Sequence, residues 1–154
     1  MIAAIIPTLN EEAAIGSVLE KFPERCCGEE VKLYVIDGGS TDATIDIARD
    51  KGAEILRQHL TGGKGDAVRE AIEAIDADIY VMIDGDDTYD PGELDKIVRP
   101  LVNREADHVI GKRVNREEGA IPKLNIIGNK LFNLFARGFT GKQITDMLSG
   151  FRGF

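Results

Sequence analysis

Short apolar runs alternate along this chain with longer segments of helical period. The runs cover residues 2–6, 31–36, 53–56, 79–83 and 108–110 and are rich in Ile and Val. Each has the length and composition of a buried strand. Between them, Ile15, Val18, Leu19 and Phe22 fall at i, i+3, i+4, i+7, and so do Val68, Ala71, Ile72 and Ile75. Leu94, Ile97, Val98 and Leu101 repeat the pattern. This spacing predicts three amphipathic helices. A less regular stripe through Ile45, Ile47 and Ala48 predicts a helix over 41–51. Leu124, Ile127, Leu131, Leu134 and Phe135 predict another over 124–136. Strand alternating with helix implies an α/β domain on a mainly parallel sheet. Right-handed crossovers then bring every loop that follows a strand to one edge, where open α/β sheets bind their ligands.

Composition narrows the class without changing that picture. The 154 residues are 43% apolar and 30% charged, a globular balance suited to a single domain. The formal net charge of −8 argues against a nucleic-acid binder but leaves room for a locally basic phosphate pocket. No run approaches the roughly 18 apolar residues of a membrane span, and the first residues lack a basic leader. Cys26 and Cys27 are adjacent, and neighbours rarely bridge each other, so a disulfide framework is not expected and a reducing, cytoplasmic setting is. His59 and His108 lack metal-ligand spacing and read as surface or core residues. Residues 115–123, with Gly119 and Pro122, read as a loop. The last six residues carry two aromatics and no polar tail, as though the cut fell inside a folded unit.

The strand ends carry the candidate chemistry. After the first run come Pro7, Thr8, Leu9, Asn10, Glu11 and Glu12, where Asn10 suits a helix cap and the glutamates a first helical turn. After the second come Asp37, Gly38, Gly39, Ser40, Thr41 and Asp42, a glycine turn whose first carboxylate can accept from a base or a sugar hydroxyl. After the third, Gly62, Gly63, Lys64 and Gly65 lead into a helix, where free N–H groups and a lysine suit a diphosphate. The fourth run ends in Asp84, Gly85, Asp86, Asp87, Thr88, Tyr89 and Asp90. Four carboxylates so close repel one another unless a cation compensates them, and hard oxygen donors suit Mg²⁺ or Mn²⁺. An EF-hand is excluded because Tyr89 stands where that loop needs glycine.

Taken in order, the segments at 6–12, 35–42, 63–65, 84–87 and 146–152 resemble glycosyltransferase family 2. The ending Asp146-x-x-Ser149-Gly150-Phe151-Arg152 resembles the dolichyl-phosphate-mannose-synthase-like branch, which glycosylates a polyprenyl phosphate. The resemblance implies a three-layer α/β/α GT-A fold and an inverting transfer from a UDP- or GDP-sugar. It implies one GT-A domain over 1–154, truncated on its acceptor and membrane side. The full-length parent would work at the cytoplasmic membrane face in cell-envelope glycan synthesis. By position, Pro7, Thr8, Leu9, Glu11, Asp37, Gly39, Lys64, Asp84 and Gly85 would hold the donor. Asp84 and Asp86 would form the metal-binding D-x-D pair, with Asp86 the more direct ligand. The branch often places a Gln where this chain has Thr88. Arg113, Lys123, Ser149 and Arg152 would face the acceptor phosphate, and Asn129 matches the branch pattern. Asp86, Arg113 and Asp146 would be catalytic, with Asp146 ranked below the metal pair because an ionised phosphate nucleophile needs little help losing a proton.

Two other readings fit parts of the sequence. Asp84-Gly85-Asp86-Asp87-Thr88 also satisfies the D-x-D-x-T motif of haloacid-dehalogenase-type phosphatases, with Asp84 as nucleophile. A nucleotide-sugar-binding unit without turnover would need the donor side alone.

Overall fold

The computed structural model describes residues 1–59, 63–111 and 149–154. Its centre is β1 (Ile2–Thr8), parallel to β3 (Glu29–Asp37) on one side and to β5 (Ile79–Met82) on the other. Ile2 stands opposite Val31, and the register runs unbroken to Thr8 opposite Asp37. β4 (Glu54–Arg57) extends the parallel set beyond β3. Past β5 the sheet turns mixed: β7 (Arg152–Gly153) is antiparallel both to β5 and to β6 (Val109–Ile110). β2 (Arg25–Cys26) pairs antiparallel with the start of β3.

Among the described residues, four helices cover the two faces. Alternate residues of β1 divide between them, as the two-residue period of a strand requires. Ile2, Ala4 and Ile6 face α1 (Ile15–Glu20) through Ile15 and Leu19, and α4 (Leu94–Val102) through Leu94, Ile97 and Val98. Ala48 of α2 (Thr44–Asp50) joins this layer. Ala3 and Ile5 face α3 (Lys64–Ala74) through Ala67 and Ala71. The result is the expected α/β/α sandwich with a mainly parallel sheet. A 3₁₀ turn at Pro91–Glu93 leads into α4.

Some expectations need correction. Asn10 does not cap a helix: it adopts φ 55°, and α1 begins only at Ile15. α3 begins at Lys64, ahead of its first apolar stripe residue, because Gly63 (φ 80°) turns the chain directly into it. β2 and β7 have two residues each, too few to show any period. The helix expected over 124–136 and the loop at 115–123 lie outside the described residues.

Candidate active site at the carboxyl edge of the sheet

β1, β3, β4 and β5 all point their carboxyl ends at one edge, where a cleft of about 470 Å³ opens. Pro7, Thr8, Leu9 and Glu11 form one wall. Gln58, His59, Gly63 and Lys64 form another, and Asp84, Gly85 and Asp86 close the floor.

The first wall is built by two loops laced together. The Asn10 side chain accepts from the Thr41 N–H (2.8 Å), and the Asn10 N–H donates to the Ser40 hydroxyl (3.0 Å). Glu11 N–H donates to Thr44 Oγ1 (2.8 Å), and Glu12 accepts from Ala43 N–H (3.0 Å). Thr44 is fully buried and donates its hydroxyl to Asp42 (2.5 Å). That bond holds the Asp42 carboxyl below the usual range. Asp37 is buried beneath this lacing and accepts from Ser40 N–H (2.8 Å), so its visible role is to shape the turn. Gly39 is exposed at φ 101° outside the cleft lining, while Gly38 lines it. The Thr8 hydroxyl is turned inward to the Ile6 carbonyl (2.8 Å).

The acidic run sorts itself by partner. Asp87 pairs with Lys21, the residue that follows α1 (2.6 Å). Asp90 accepts from Gly92 N–H (2.9 Å) and caps the 3₁₀ turn. Asp87 therefore has a cationic partner and Asp90 a capping role, apart from the D-x-D pair. Asp84 and Asp86 remain on the cleft floor. Asp84 Oδ1 meets Lys64 Nζ at 2.5 Å, and Asp86 accepts only a local bond from Thr88 N–H (3.0 Å) among the bonds described. The Glu11 carboxyl is held above its ordinary value, first by burial and then by the charges of Asp86, Asp42 and Asp84. The floor is therefore a place of negative potential with one ammonium already drawn to it.

A distant segment backs this floor. Gly150 lies so close to Asp84 that a Cβ there would overlap the carboxylate. Its N–H donates to the hydroxyl of Tyr89 (2.6 Å), which stands five residues after Asp84. Ser149 is buried, its hydroxyl 3.4 Å from that of Tyr89 and accepting from Phe151 N–H (3.2 Å). Arg152 Nε donates to the Ser149 carbonyl (2.7 Å). Ser149 and Arg152 thus stand in a turn braced against the acidic loop. Arg113, Lys123, Asn129 and Asp146 lie outside the described residues.

Gln58 is a cleft residue that the sequence reading passed over, and His59 is one that it read only as a surface or core residue. Their signal was positional: they directly follow β4 at the ligand edge. His59 is an exposed residue on the cleft wall. His108 lies elsewhere, edge-on to Phe154, and burial followed by the charge of Arg152 lowers its pKa.

Comparison with known proteins places this geometry. Glycosyltransferase AglJ of Haloferax volcanii is 39% identical over 99% of this chain and 50% of its own length. A dolichyl-phosphate hexose transferase of the same organism is 36% identical over 99% of this chain and 65% of its own. The chain therefore spans half to about two thirds of these relatives. Crystal structures of glucosyl-3-phosphoglycerate synthase from Mycobacterium tuberculosis share the fold. The complex with UDP superposes with a TM-score of 0.79 at 27% identity, covering 99% of this chain and 56% of that one. A complex with Mn²⁺, UDP-glucose and glycerol 3-phosphate gives 0.78 at 26%, with 99% and 56% covered. The family model for glycosyl transferase family 2 matches residues 3–154, from β1 through β7, and with the sheet of a GT-A domain beneath its cleft the chain belongs to that family.

Proposed function

We propose that this chain carries the donor site of an inverting glycosyltransferase, which moves a sugar from a metal-bound nucleoside-diphosphate sugar to a polyprenyl phosphate. The observation that carries the reading is the cleft floor, where Asp84 and Asp86 lie beside Lys64. The residues fit a divalent ion: the two carboxylates of Asp84 and Asp86 offer hard oxygens on the cleft floor, beside a Glu11 carboxyl raised first by burial and then by their charges. Asp84 and Asp86 would hold Mg²⁺ or Mn²⁺. When bound, such an ion supplies positive charge against the departing diphosphate.

The chain's own residues do the rest. Lys64, the first residue of α3, would turn from Asp84 toward the diphosphate, helped by the free N–H groups of the helix start. Leu9, 55% exposed at the cleft wall, offers an apolar surface to the base beside Pro7. Glu11, Gly85 and the turn shaped by Asp37 and Gly39 would set the ribose and base. On the acceptor side, Arg113 and Lys123 would steer an ionised phosphate oxygen to the sugar carbon, with Arg152 near and Asp146 secondary. A polyprenyl-phosphate acceptor is supported by the 146–152 segment and by the dolichyl-phosphate hexose transferase relative. Work at a membrane face follows from that acceptor; no helix among the described residues is long and apolar enough to cross a membrane.

The phosphatase alternative loses its ground. Asp84 is ion-paired with Lys64 and backed by Gly150, and the chain belongs to a different family. Calorimetry with UDP- and GDP-sugars in Mn²⁺ tests the reading. Saturable, metal-dependent binding is expected, and Asp86→Ala should abolish the metal dependence. No binding of any nucleotide sugar would overturn it. Transfer to polyprenyl phosphate, measured in parallel, separates catalysis from donor binding alone.

A further inference from the structure

We infer that Cys26 and Cys27 form a two-thiolate site for a thiophilic divalent cation, at the end of the sheet opposite the cleft. Adjacent side chains of an extended strand point to opposite faces. Here they do not, because Cys27 and Gly28 form the turn of the β2–β3 hairpin with φ 52° and 89°. Two successive positive φ angles are the mark of a tight hairpin turn. The left-handed residue swings its side chain back beside its neighbour, and the two sulfurs sit 3.9 Å apart with the Cys26 thiol donating to Cys27. Both thiols are free, Cys26 buried and Cys27 half-buried.

That separation is a chelating bite. Two sulfurs on a tetrahedral ion, each about 2.3 Å from it, stand about 3.8 Å apart. The pair is therefore already at the separation that a soft ion with a bent S–M–S angle requires. A linear ion would need about 4.6 Å at the same bond length. Among the described residues no cluster of three or more His, Cys, Asp or Glu side chains meets there, so external ligands would complete the shell.

The charged groups facing the pair are Asp95 and Arg99 of α4, themselves ion-paired at 3.2 Å, while Arg25 of β2 is turned to the Gly28 carbonyl. Burial, then the neighbouring Cys27, pushes the Cys26 thiol up to about 12. A metal takes cysteine as the thiolate, so binding expels protons and affinity rises with pH. In the balanced step both S–H bonds break, two S–M bonds form, and the protons pass to buffer.

Cadmium is the probe, added to the whole chain with Mg²⁺ in excess to occupy the cleft carboxylates. One Cd²⁺ per chain is expected, with sulfur-to-cadmium charge-transfer absorption and proton release that scales with buffer ionisation enthalpy. Cys26→Ser and Cys27→Ser should each lose the band and at least about 100-fold in affinity, as when a chelate becomes monodentate. Asp86→Ala should bind Cd²⁺ as the parent does. Cys27→Ser, at the more exposed position, keeps the test decisive if Cys26→Ser fails to fold. Parent-like binding by Cys27→Ser, one ion shared by two chains, or no charge-transfer band would overturn the proposal.

Discussion

The Tyr89 hydroxyl ties the acidic loop to the segment at 149–154. Tyr89 accepts the Gly150 N–H, and both residues are buried. Tyr89→Phe would leave that donor without its partner, an expected loss of about 1–3 kcal/mol in urea unfolding. Gly150→Ala acts differently, because its methyl would push Asp84 aside. Nucleotide affinity in Mn²⁺ should fall at least about tenfold, roughly 1.4 kcal/mol, with less change in its absence. Asp42 gives a test in pH. Its carboxyl is held low by Thr44, so its contribution is present above the ordinary aspartate range and lost as pH falls through the lowered folded value. Asp42→Asn should flatten that acid limb in thermal melts. At this scale the sequence brought Pro7, Leu9, Glu11, Lys64, Asp84 and Asp86 to one edge, because strand ends are ordered by topology, but it did not show Gln58 and His59 there or Gly39 outside the lining. It did not show that Asp87 and Asp90 have other partners, since Lys21 and Gly92 meet them only through tertiary packing and a local turn.

Among the elements, β7 is packed closely against α4. Gly153 lies under α4, where a Cβ would come within 2.6 Å of Ile97 and 2.8 Å of Leu101. Gly153→Ala should cost about 1–3 kcal/mol by overpacking, read from chemical denaturation. In the centre of the sheet, Ile5 is fully buried, and Ile5→Ala should cost about 2–5 kcal/mol. The long elements were legible because burial imposes a period on them: β1 alternates between two cores, and α4 presents Leu94, Ile97 and Val98 to one. β2 and β7 were not, because a two-residue strand is made by its neighbours' open hydrogen bonds and not by a pattern of its own. Asn10 misled for a related reason: its side chain serves the loop after β3, a partner 31 residues away.

For the whole molecule, a ligand that binds only the folded chain adds stability. At a free concentration one hundred times its Kd, a nucleotide sugar with Mn²⁺ should add about 2.7 kcal/mol. For this length that is about 5–10 °C in Tm, seen by thermal shift and absent in Asp86→Ala. The net charge of −8 helps draw the metal, so the gain should shrink as salt screens it.

The insertion of β7 between β5 and β6 also orders events during synthesis. Ribosomes deliver the amino end first, and β1, β3, β4 and β5 can assemble as soon as residue 82 is free. The outer rim of β5 then waits, with unpaired N–H and C=O groups, until Arg152 and Gly153 emerge. An open rim of that kind is a template for pairing with a neighbouring nascent chain, so the nascent protein is most prone to aggregation, and most in need of a chaperone, in that interval.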